Sequence, residues 1–544
     1  MENQPWWRGA VIYQIYPRSF MDANQDGIGD LAGIVQKLPY VKKLGVDAIW
    51  ISPFFKSPMK DFGYDISDYR EIDPIFGTMK DFDMLMTKAK KLDLKVIIDQ
   101  VLSHTSDQHE WFIESRQDRT NVKADWYVWV DANEDGTPPN NWLSIFGGGA
   151  WQWEPRRQQY YLHNFLTSQP DLNFHNEAVR EAVLDNVKFW LDLGVDGFRL
   201  DAINFCYHDK LLRDNPAKAL EERQGRGFSD DNPYAFQYHY YNNTQPENIE
   251  FMEDIRALMD QYPGVVTLGE ISSENSLQTM AEYTQGDKRL HMAYSFELLT
   301  PDGSPTYIRN TVEALEEQLS DGWPCWAIGN HDVARVASRW SKSHSDKANT
   351  AAQSKMYNAL LASLRGSVCS YQGEELGLTE ADIAYDDLQD PYGINFWPTF
   401  KGRDGCRTPM PWDNISTNAG FSTSNDLWLP VTDVHTENAV EVQENDKASV
   451  LIAYRTFLTW RKMQSCLLYG DIKFIESNSE LLVFTRQYQD KKLMIIANFT
   501  SNSLEYAIKE ASLTLLSGNG FSSSIDENSV VTLPAFNIAY LEVN

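Results

Sequence analysis

The chain has 544 residues, which is too long for one ordinary domain. Of these residues, 42% are hydrophobic, which is enough for a sizeable core. Its formal net charge at pH 7 is −29. A field of that sign repels nucleic acid and anionic lipid, so neither is an expected partner, whereas a neutral small molecule is not deterred. The negative charge also keeps a protein soluble, so the charge can be explained without any binding partner.

Cysteine usage and the first residues bear on where the protein resides. The five cysteines are few, odd in number and scattered, without a C-x-x-C pair: Cys206, Cys325, Cys369, Cys406 and Cys466. That usage favours a reducing compartment over a disulfide scaffold. Residues 1–7 lack the basic start and apolar stretch of a signal peptide, and no apolar run approaches the length of a membrane span. The sequence predicts a cytoplasmic protein that has no membrane partner.

Short apolar runs alternate with helical patterns over the first two thirds of the chain. Eight such runs predict buried parallel strands, at Ala10–Tyr16, Val46–Ser52, Leu94–Asp99, Val195–Leu200, Val265–Glu270, His291–Phe296, Cys325–Asn330 and Gly366–Gln372. Apolar residues at helical spacing predict helices between them, at Leu31–Leu44, Lys80–Leu92, Ala178–Leu193, Glu250–Tyr262 and Ala351–Leu364. This alternation indicates an α/β fold with a parallel sheet, and eight strands favour a closed (β/α)8 TIM barrel.

Three regions depart from the alternation. Residues 104–173 follow the third strand, are rich in Trp, Gly, Pro and Asn, and predict an insert that overhangs the carboxyl ends of the strands. Residues 378–437 are irregular and predict extended loops at the same end. From about residue 467, short alternating segments predict an all-β domain. The predicted organisation is a barrel of residues 1–103 and 174–466, an insert domain of residues 104–173 and a C-terminal β-sandwich of residues 467–544.

Acidic residues lie at the ends of three predicted strands. Asp201 follows one strand, Glu270 ends the next, and Asp332 follows the strand that ends at Asn330. Because barrel strands present their carboxyl ends at one face, these side chains are expected to converge there. Two carboxyl groups flanking one bond are what glycoside cleavage requires, one to attack or stabilise and one to donate a proton. The sequence therefore predicts a glycosidase.

Neighbouring residues fit that chemistry, although each also has a structural explanation. Arg199 lies two residues before Asp201, on the same strand face, where its charge would hold Asp201 ionised. Glu270 needs the opposite, an apolar environment that keeps it protonated. Taken singly, an Asp after a strand can cap a helix, the Arg199–Asp201 pair can be structural, and His104 can be an ordinary buried histidine. It is the joint occurrence on different strand ends that favours catalysis.

A second candidate site lies in the loop of residues 22–30. Oxygen-bearing side chains recur there at alternate positions around Gly27, which resembles the first half of an EF-hand loop and suits a hard cation. The distal Glu of that motif is absent, so an Asx-turn loop without an ion stays an alternative. The predicted ligands are Asp22, Asn24, Asp26, the Ile28 carbonyl and Asp30.

At these motifs the chain resembles the α-amylase superfamily of glycoside hydrolases (family 13), in its α-glucosidase and oligo-1,6-glucosidase branch. The resemblance covers nearly the whole chain and is carried by several motifs in the expected order. They are 11–20 (VIYQIYPRSF), 63–69 (GYDISDY), 99–106 (DQVLSHTS), 197–201 (GFRLD), 269–270 (GE), 330–332 (NHD) and 407–412 (RTPMPW). It implies a TIM barrel that retains the α configuration through a covalent glucosyl-enzyme, and a structural Ca²⁺, with Mg²⁺ as the alternative ion, in the loop of residues 22–30.

The resemblance also implies a role for each site residue. Asp201 matches the nucleophile, Glu270 the general acid/base and Asp332 the transition-state stabiliser. Asp65 and Arg403 match a pair that closes the pocket behind the terminal glucose, which implies exo action. Residues that match contacts around the glucose, its neighbouring subsite and the bond to be cleaved are Tyr64, Asp65, His104, Phe146, Phe165, Arg199, Ala202, His331 and Arg403. For Phe146 and Phe165, ordinary packing in the insert is the alternative.

Linkage preference rests on two positions in this resemblance. Ala202 stands where Val accompanies α-1,6 preference, and Ile271–Ser273 stands where the α-1,6 enzymes commonly have Met-Pro-Gly. Both favour maltose and short α-1,4 malto-oligosaccharides, with sucrose and transglucosylation left open. Rival hypotheses are an α-1,6 oligo-glucosidase, a sucrose isomerase or trehalose synthase, a hydrolase of a phosphorylated disaccharide, and a transporter-associated protein without activity. The last is disfavoured because all three carboxylates are present and no membrane span is.

Overall fold

Eight parallel strands form the central sheet of the computed structural model, which describes residues 4–223, 231–341, 347–508 and 512–543. The strands are β1 (Val11–Ile15), β2 (Ala48–Ile51), β3 (Lys95–Val101), β4 (Gly197–Asp201), β5 (Val266–Ile271), β6 (Met292–Ser295), β7 (Cys325–Ala327) and β8 (Ser367–Tyr371). Their order is β6-β5-β4-β3-β2-β1-β8-β7, and a parallel bridge between Ala293 and Pro324 joins the two ends. The predicted TIM barrel is confirmed.

Both faces of the barrel strands are buried, which explains their unbroken apolar character. Ile12 and Trp50 belong to a cluster that fills the barrel interior. Their chain neighbours Tyr13 and Ile49 belong instead to the cluster between the strands and the helices. Side chains alternate between the two layers because successive residues of a strand point to opposite faces. A strand buried on both faces therefore reads as a continuous apolar run, and the strand predictions depended on that signal.

The helix Leu31–Leu44 shows how the sequence sets helix ends. Asp30 caps its first turn by accepting a hydrogen bond from the Gly33 amide, and Gly45 ends it with φ 90° in the left-handed region that favours glycine. The other helices predicted from sequence lie at Met79–Lys91, Glu177–Asp192, Asn248–Met259 and Lys347–Leu361. Helices that the sequence analysis did not predict lie at Glu110–Ser115, Ser276–Thr284, Pro305–Gln318, Val336–Arg339, Pro391–Phe396, Asp433–Glu437, Val440–Glu444, Val450–Arg461 and Ser465–Tyr469. Within the described ranges, none of these helices combines the length and apolar character that crossing a membrane would need.

The insert after β3 is a small antiparallel sheet that is tied to the barrel. Its strands are Trp129–Val130, Trp151–Glu154 and Gln159–Leu162. Bridges between His104 and Asp171 and between Tyr127 and Leu172 close its base just beyond β3. A further hairpin of Phe55–Lys56 and Asp68–Ile72 follows β2. Insert and hairpin thus follow the carboxyl ends of β3 and β2.

The C-terminal region consists of two antiparallel sheets. One contains Asp471–Ile475, Leu481–Tyr488, Lys491–Asn498, Leu513–Leu515 and Ile538–Val543, and the other contains Leu504–Ala507, Ser524–Ile525 and Val530–Leu533. Val483 and Ile496 of the first sheet pack with Val531 and Leu533 of the second in one apolar cluster. The arrangement is a sandwich, as predicted, whereas the exact limits proposed for the three domains stay a prediction.

Candidate active site

A cavity opens at the carboxyl ends of the barrel strands. Its walls come from β4, β5, the segment after β7, the hairpin after β2, the insert, and residues 392–403 of the irregular region. The predicted site residues that line it are Tyr64, His104, Phe146, Phe165, Asp201, Ala202, Glu270, His331, Asp332 and Arg403. The expected convergence of strand ends therefore occurs, and the structure gathers these distant residues around one space.

Arg199 lies beneath the cavity and joins the carboxylates. Its side chain is fully buried, and Nη1 donates to Asp201 Oδ1 at 2.6 Å and to Asp99 Oδ1 at 2.9 Å. Nη2 forms an ion pair with Glu270 Oε1. Asp99 was not predicted as a site residue; it sits on β3 and also accepts hydrogen bonds from Trp50 and Tyr64. One guanidinium thus fixes Asp201 and Glu270 side by side.

Asp201 and Glu270 share an environment that favours one proton between them. Burial raises the pKa of Glu270 to about 7, against the opposing charge of Arg199. Burial also raises the pKa of Asp201 above its usual range, again opposed by Arg199. Two interacting carboxyl groups of this kind titrate as a pair, so one can carry the proton while the other is ionised. Such a pair supplies an acid and a nucleophile at once.

Ala202 contacts Glu270 through its backbone. The Ala202 amide donates to Glu270 Oε2 at 3.1 Å, while Tyr294 Oη donates to Glu270 Oε1 at 3.0 Å. Ala202 has φ 38° and ψ 46°, a left-handed conformation that is strained for any residue with a side chain, and a 3₁₀ turn at Ile203–Phe205 follows it. The strand that carries the nucleophile therefore turns sharply enough to place an amide against the acid.

Asp332 is held ionised by cations. Its Oδ1 accepts hydrogen bonds from Arg403 Nη1 at 3.1 Å and from Arg407 Nη2 at 3.0 Å, and its Oδ2 lies 3.2 Å from His331 Nε2. Burial alone would raise the pKa of Asp332, but His331, Arg403 and Arg407 hold it well below its usual range. Arg407 belongs to the 407–412 motif, and nothing in the sequence of that motif predicts its contact with Asp332. A permanently charged carboxylate here can stabilise developing positive charge.

Arg403 pairs with Asp61, and the predicted pairing with Asp65 is wrong. Arg403 Nη2 lies 2.9 Å from Asp61 Oδ1, and Asp61 lines the cavity. Asp65 instead accepts hydrogen bonds from the amides of Lys60 and Asp61 and from Ser57 Oγ, and it is not among the lining residues. Phe62 and Gly63 have φ 50° and 108°. That turn directs Asp61 into the cavity and Asp65 back onto its own loop.

Aromatic side chains form much of the remaining wall. The Phe165 ring lies 5.0 Å from the His104 ring, and the Phe146 ring lies 5.1 Å from the Arg403 guanidinium. Burial lowers the pKa of His104 to about 4, so this imidazole is neutral and able to hydrogen-bond. Ser272, within the Ile271–Ser273 segment that the linkage argument uses, also lines the cavity, and further lining residues that the sequence analysis missed are Ile145, Gln169, Phe205, Phe296 and Tyr392. They lie in loops and turns without periodicity, and no sequence signal separated them from packing.

The loop of residues 22–30 offers only oxygen donors, which suits Ca²⁺ or Mg²⁺ chemically. Both oxygens of Asp30 accept backbone amides, from Gly33 at 2.6 Å and from Ala23 and Asn24 at 3.1 Å. Asp22 likewise accepts the Gln25 and Gly27 amides at 2.6 and 2.8 Å. Within the described ranges, no three His, Cys, Asp or Glu side chains are grouped as metal ligands would be. The ion stays a prediction, and so does the Asx-turn alternative.

Comparison with known proteins agrees with this geometry. Residues 14–470 match the α-amylase catalytic domain family. A probable α-glucosidase of Rhizobium meliloti (strain 1021) is 54% identical over 98% of this chain and 96% of its own, and an oligo-1,6-glucosidase of Heyndrickxia coagulans is 37% identical over 94% and 96%. The sequence of the α-glucosyl transfer enzyme XgtA is 60% identical to that of this chain. Its crystal structure aligns over 100% of both chains, with a TM-score of 0.97. The chain belongs to the α-amylase family and is a glycoside hydrolase.

Proposed function

We propose that this chain is an exo-acting, retaining α-glucosidase that removes terminal α-glucose from short α-glucosides and also transfers it to acceptors. The observation that carries the proposal is the arrangement of Asp201 and Glu270 on one buried guanidinium, at the base of a cavity that Asp332 and Arg403 border. Maltose, short malto-oligosaccharides and sucrose are the proposed substrates. The five cysteines are buried free thiols, which supports the proposed cytoplasmic setting.

Exo action is supported by the contacts of Arg403. Its Nη2 bridges Asp61 at 2.9 Å and Asp390 at 2.8 Å, and its Nη1 reaches Asp332 at 3.1 Å. This network links the hairpin after β2, the segment after β7 and the irregular region into one wall. A wall of paired charges with hydrogen-bonding capacity suits the hydroxyls of a single terminal sugar and leaves no passage for a continuing chain. The proposed products are therefore single glucose units.

The proposed reaction has two displacements. Asp201 attacks the anomeric carbon as the bond to the leaving oxygen breaks, and Glu270 gives that oxygen its proton. Asp332 stabilises the positive charge that develops on the sugar. Glu270, now a carboxylate, then takes a proton from water or an acceptor hydroxyl, which attacks and breaks the glucosyl–Asp201 ester. Retention is supported because carboxyls shared by one guanidinium lie nearer the about 5–5.5 Å of retaining enzymes than the about 6.5–9.5 Å of inverting ones.

The proposed α-1,4 preference rests on Ala202. Its methyl group lines the cavity beside Glu270, where a larger residue would occupy space needed by the leaving sugar. One methyl-sized change is worth only about 1–3 kcal/mol between substrates. The oligo-1,6-glucosidase relative keeps α-1,6 cleavage as the alternative, and the 60% identical glucosyl transfer enzyme favours transfer as part of the activity.

Initial rates on maltose and isomaltose test the proposed function. Faster glucose release from maltose is expected because Ala202 leaves room for the α-1,4 leaving sugar. Proton NMR at early times should show α-glucose as the first anomer from the cleaved non-reducing unit. Faster cleavage of isomaltose would contradict the proposed α-1,4 preference. Release of β-glucose as the first anomer would contradict the retaining mechanism. A rearranged disaccharide as the main product would show that the enzyme is an isomerase. No release from either substrate would reject the proposed function.

The pH profile should show the protonation of Glu270. Burial raises its pKa to about 7, and the proton must be present for the leaving oxygen to depart. On the alkaline side, the value of kcat/KM is therefore expected to fall about tenfold per pH unit above the raised pKa of Glu270. A leaving group that needs no proton, such as 2,4-dinitrophenolate, should flatten this alkaline limb. An unchanged limb with that substrate would assign the ionisation to another group.

We also propose that the loop of residues 22–30 binds Ca²⁺, which would cross-link the loop and supply no catalytic chemistry. Atomic spectrometry of dialysed protein is expected to give about one Ca²⁺ per chain. Chelation should then lower the melting temperature, and added Ca²⁺ should restore it. The variant Asp26→Ala should lose the metal and this response. A melting temperature indifferent to chelator, with no metal bound, would leave the Asx-turn explanation.

A further inference from the structure

A second cavity lies directly beside the catalytic one. Ser272 and Phe296 line both cavities, so the two share part of a wall. Ser272 follows the acid Glu270 by two residues, and Phe296 directly follows β6. The remaining walls come from described residues of two other stretches, which are Lys218, Glu221, Glu222, Tyr234, Tyr238, His239 and Asn243, and Ser273, Glu274, Ser276 and Glu297.

The position of Glu270 fixes what must enter this second cavity. Glu270 protonates the leaving oxygen, so the leaving group lies on the Glu270 side of the cleaved bond. The opposite side is closed by the pairing of Arg403 with Asp61 at 2.9 Å. A leaving group that extends from the cleaved bond therefore passes Ser272 and Phe296. In the transfer reaction an acceptor takes the same path in reverse.

Carboxylates are the commonest charged groups among the described residues that line the second cavity. Lys218 Nζ lies 2.9 Å from Glu274, with only 12% and 18% of these two side chains exposed. Glu221, Glu222 and Glu297 also line the cavity, and Tyr238 Oη donates to Glu222 at 2.7 Å. Burial lowers the pKa of the remaining titratable base, His239, to about 4, so it is neutral. Among the described lining residues, four carboxylates thus stand against one ammonium.

Aromatic rings give the same cavity a surface for a sugar or similar ring. Tyr234, Tyr238 and Phe296 line the cavity, and Tyr240, which is not a lining residue, stacks on Tyr238 with the centroids 5.0 Å apart and the planes 6° from parallel. Lys218 Nζ lies 5.2 Å from the Tyr238 ring, which fixes that ring beside the ion pair with Glu274. Rings with one apolar face and a polar edge suit a polyhydroxylated ligand that has both kinds of surface.

We propose that this second cavity binds the leaving group, or the acceptor in transfer, and that its carboxylates admit neutral and cationic polyhydroxy compounds while they exclude phosphorylated ones. The inference rests on the proposed α-glucosidase function and adds the chemical class of its second substrate. A phosphate monoester carries nearly two negative charges at neutral pH, and it would approach Glu221, Glu222 and Glu274 in a partly enclosed space.

Competition between acceptors tests the inference. With p-nitrophenyl α-glucoside as donor, transfer product is measured per p-nitrophenol released, with glucose, glucosamine or glucose 6-phosphate as acceptor at equal concentration. Glucose 6-phosphate is expected to be about tenfold poorer than glucose, and glucosamine at least as good as glucose. Because salt screens charges and does not change shape, the deficit of glucose 6-phosphate should shrink between about 0.02 and 0.5 M salt. Equal use of all three acceptors would overturn the inference, and a deficit that salt leaves unchanged would assign the exclusion to shape.

A charge variant gives the second readout. The double variant Glu221→Gln/Glu222→Gln changes two exposed side chains at this cavity and is expected to raise use of glucose 6-phosphate at least threefold relative to glucose. The matched control Glu177→Gln/Glu181→Gln makes the same change in net charge on the exposed face of a distant barrel helix and should leave the ratio unchanged. An equal response of both variants would show a general charge effect and overturn the inference. Absence of p-nitrophenol release from the unmodified enzyme would instead reject the proposed function.

Discussion

The variant Asp201→Asn is expected to lose nearly all activity on maltose, with kcat/KM lower by about 10⁴-fold or more, as is usual when a nucleophile is removed. Asparagine has the same shape, and its amide oxygen can still accept the hydrogen bond that Arg199 Nη1 donates at 2.6 Å. The fold and the glucose pocket should therefore survive, and only the attacking carboxylate is lost. Rates at enzyme concentrations high enough to detect residual turnover, with circular dichroism to confirm the fold, make the measurement.

External nucleophiles separate a missing nucleophile from a damaged site. The smaller variant Asp201→Gly leaves space beside the anomeric carbon, and azide can attack there from the face that Asp201 occupied. With p-nitrophenyl α-glucoside, whose leaving group needs little protonation, the expected product is β-glucosyl azide. The control Asp192→Asn, an exposed carboxylate just before the end of a barrel helix, should keep full activity. Full activity of Asp201→Asn, or α-glucosyl azide as product, would assign the nucleophile to another residue.

The centre of the site was predictable because strand ends can be read from sequence. Apolar runs located β4 and β5, and a barrel places their last residues at one face, so Asp201 and Glu270 were expected to meet. Arg199 follows from the same reasoning, since it lies two residues from Asp201 on one strand face. What strand periodicity did not reveal was that Arg199 also holds Asp99 of β3, because that contact depends on the register between strands.

Loops were not predictable to the same degree. Asp61 and Asp65 flank Gly63 four residues apart, and either can face the cavity until the left-handed turn at Phe62 and Gly63 is known. The second cavity is formed by described residues between 218 and 222, between 234 and 243, between 272 and 276, and at 296–297, which come together only in the folded chain. The helix Pro305–Gln318 was missed although Ser304 caps it and Pro305 begins it, a start signal that was present in the sequence.

Replacing Arg403 with methionine is expected to impair both stability and catalysis. The guanidinium now compensates three carboxylates, with contacts of 2.9 Å to Asp61, 2.8 Å to Asp390 and 3.1 Å to Asp332. Removing one partner of a buried ion pair leaves the other charge uncompensated and typically costs about 3–5 kcal/mol. The closed wall behind the terminal glucose would also be lost, so kcat/KM on maltose should fall at least about 10²-fold.

A second substitution separates the two effects in Arg403→Met. In that background Asp390→Asn removes a buried charge that no longer has a partner, so part of the lost free energy of unfolding should return. Activity should not return with it, because Asp61 regains no cation and Asp332 keeps only its contact with Arg407. Urea denaturation and kcat/KM on maltose, measured on both variants, distinguish the outcomes. If Arg403→Met unfolded at the same urea concentration as the unmodified enzyme, Asp61 and Asp390 would be protonated or hydrated in solution. If the kcat/KM of this variant were also unchanged, Arg403 would not form the wall on which exo action depends.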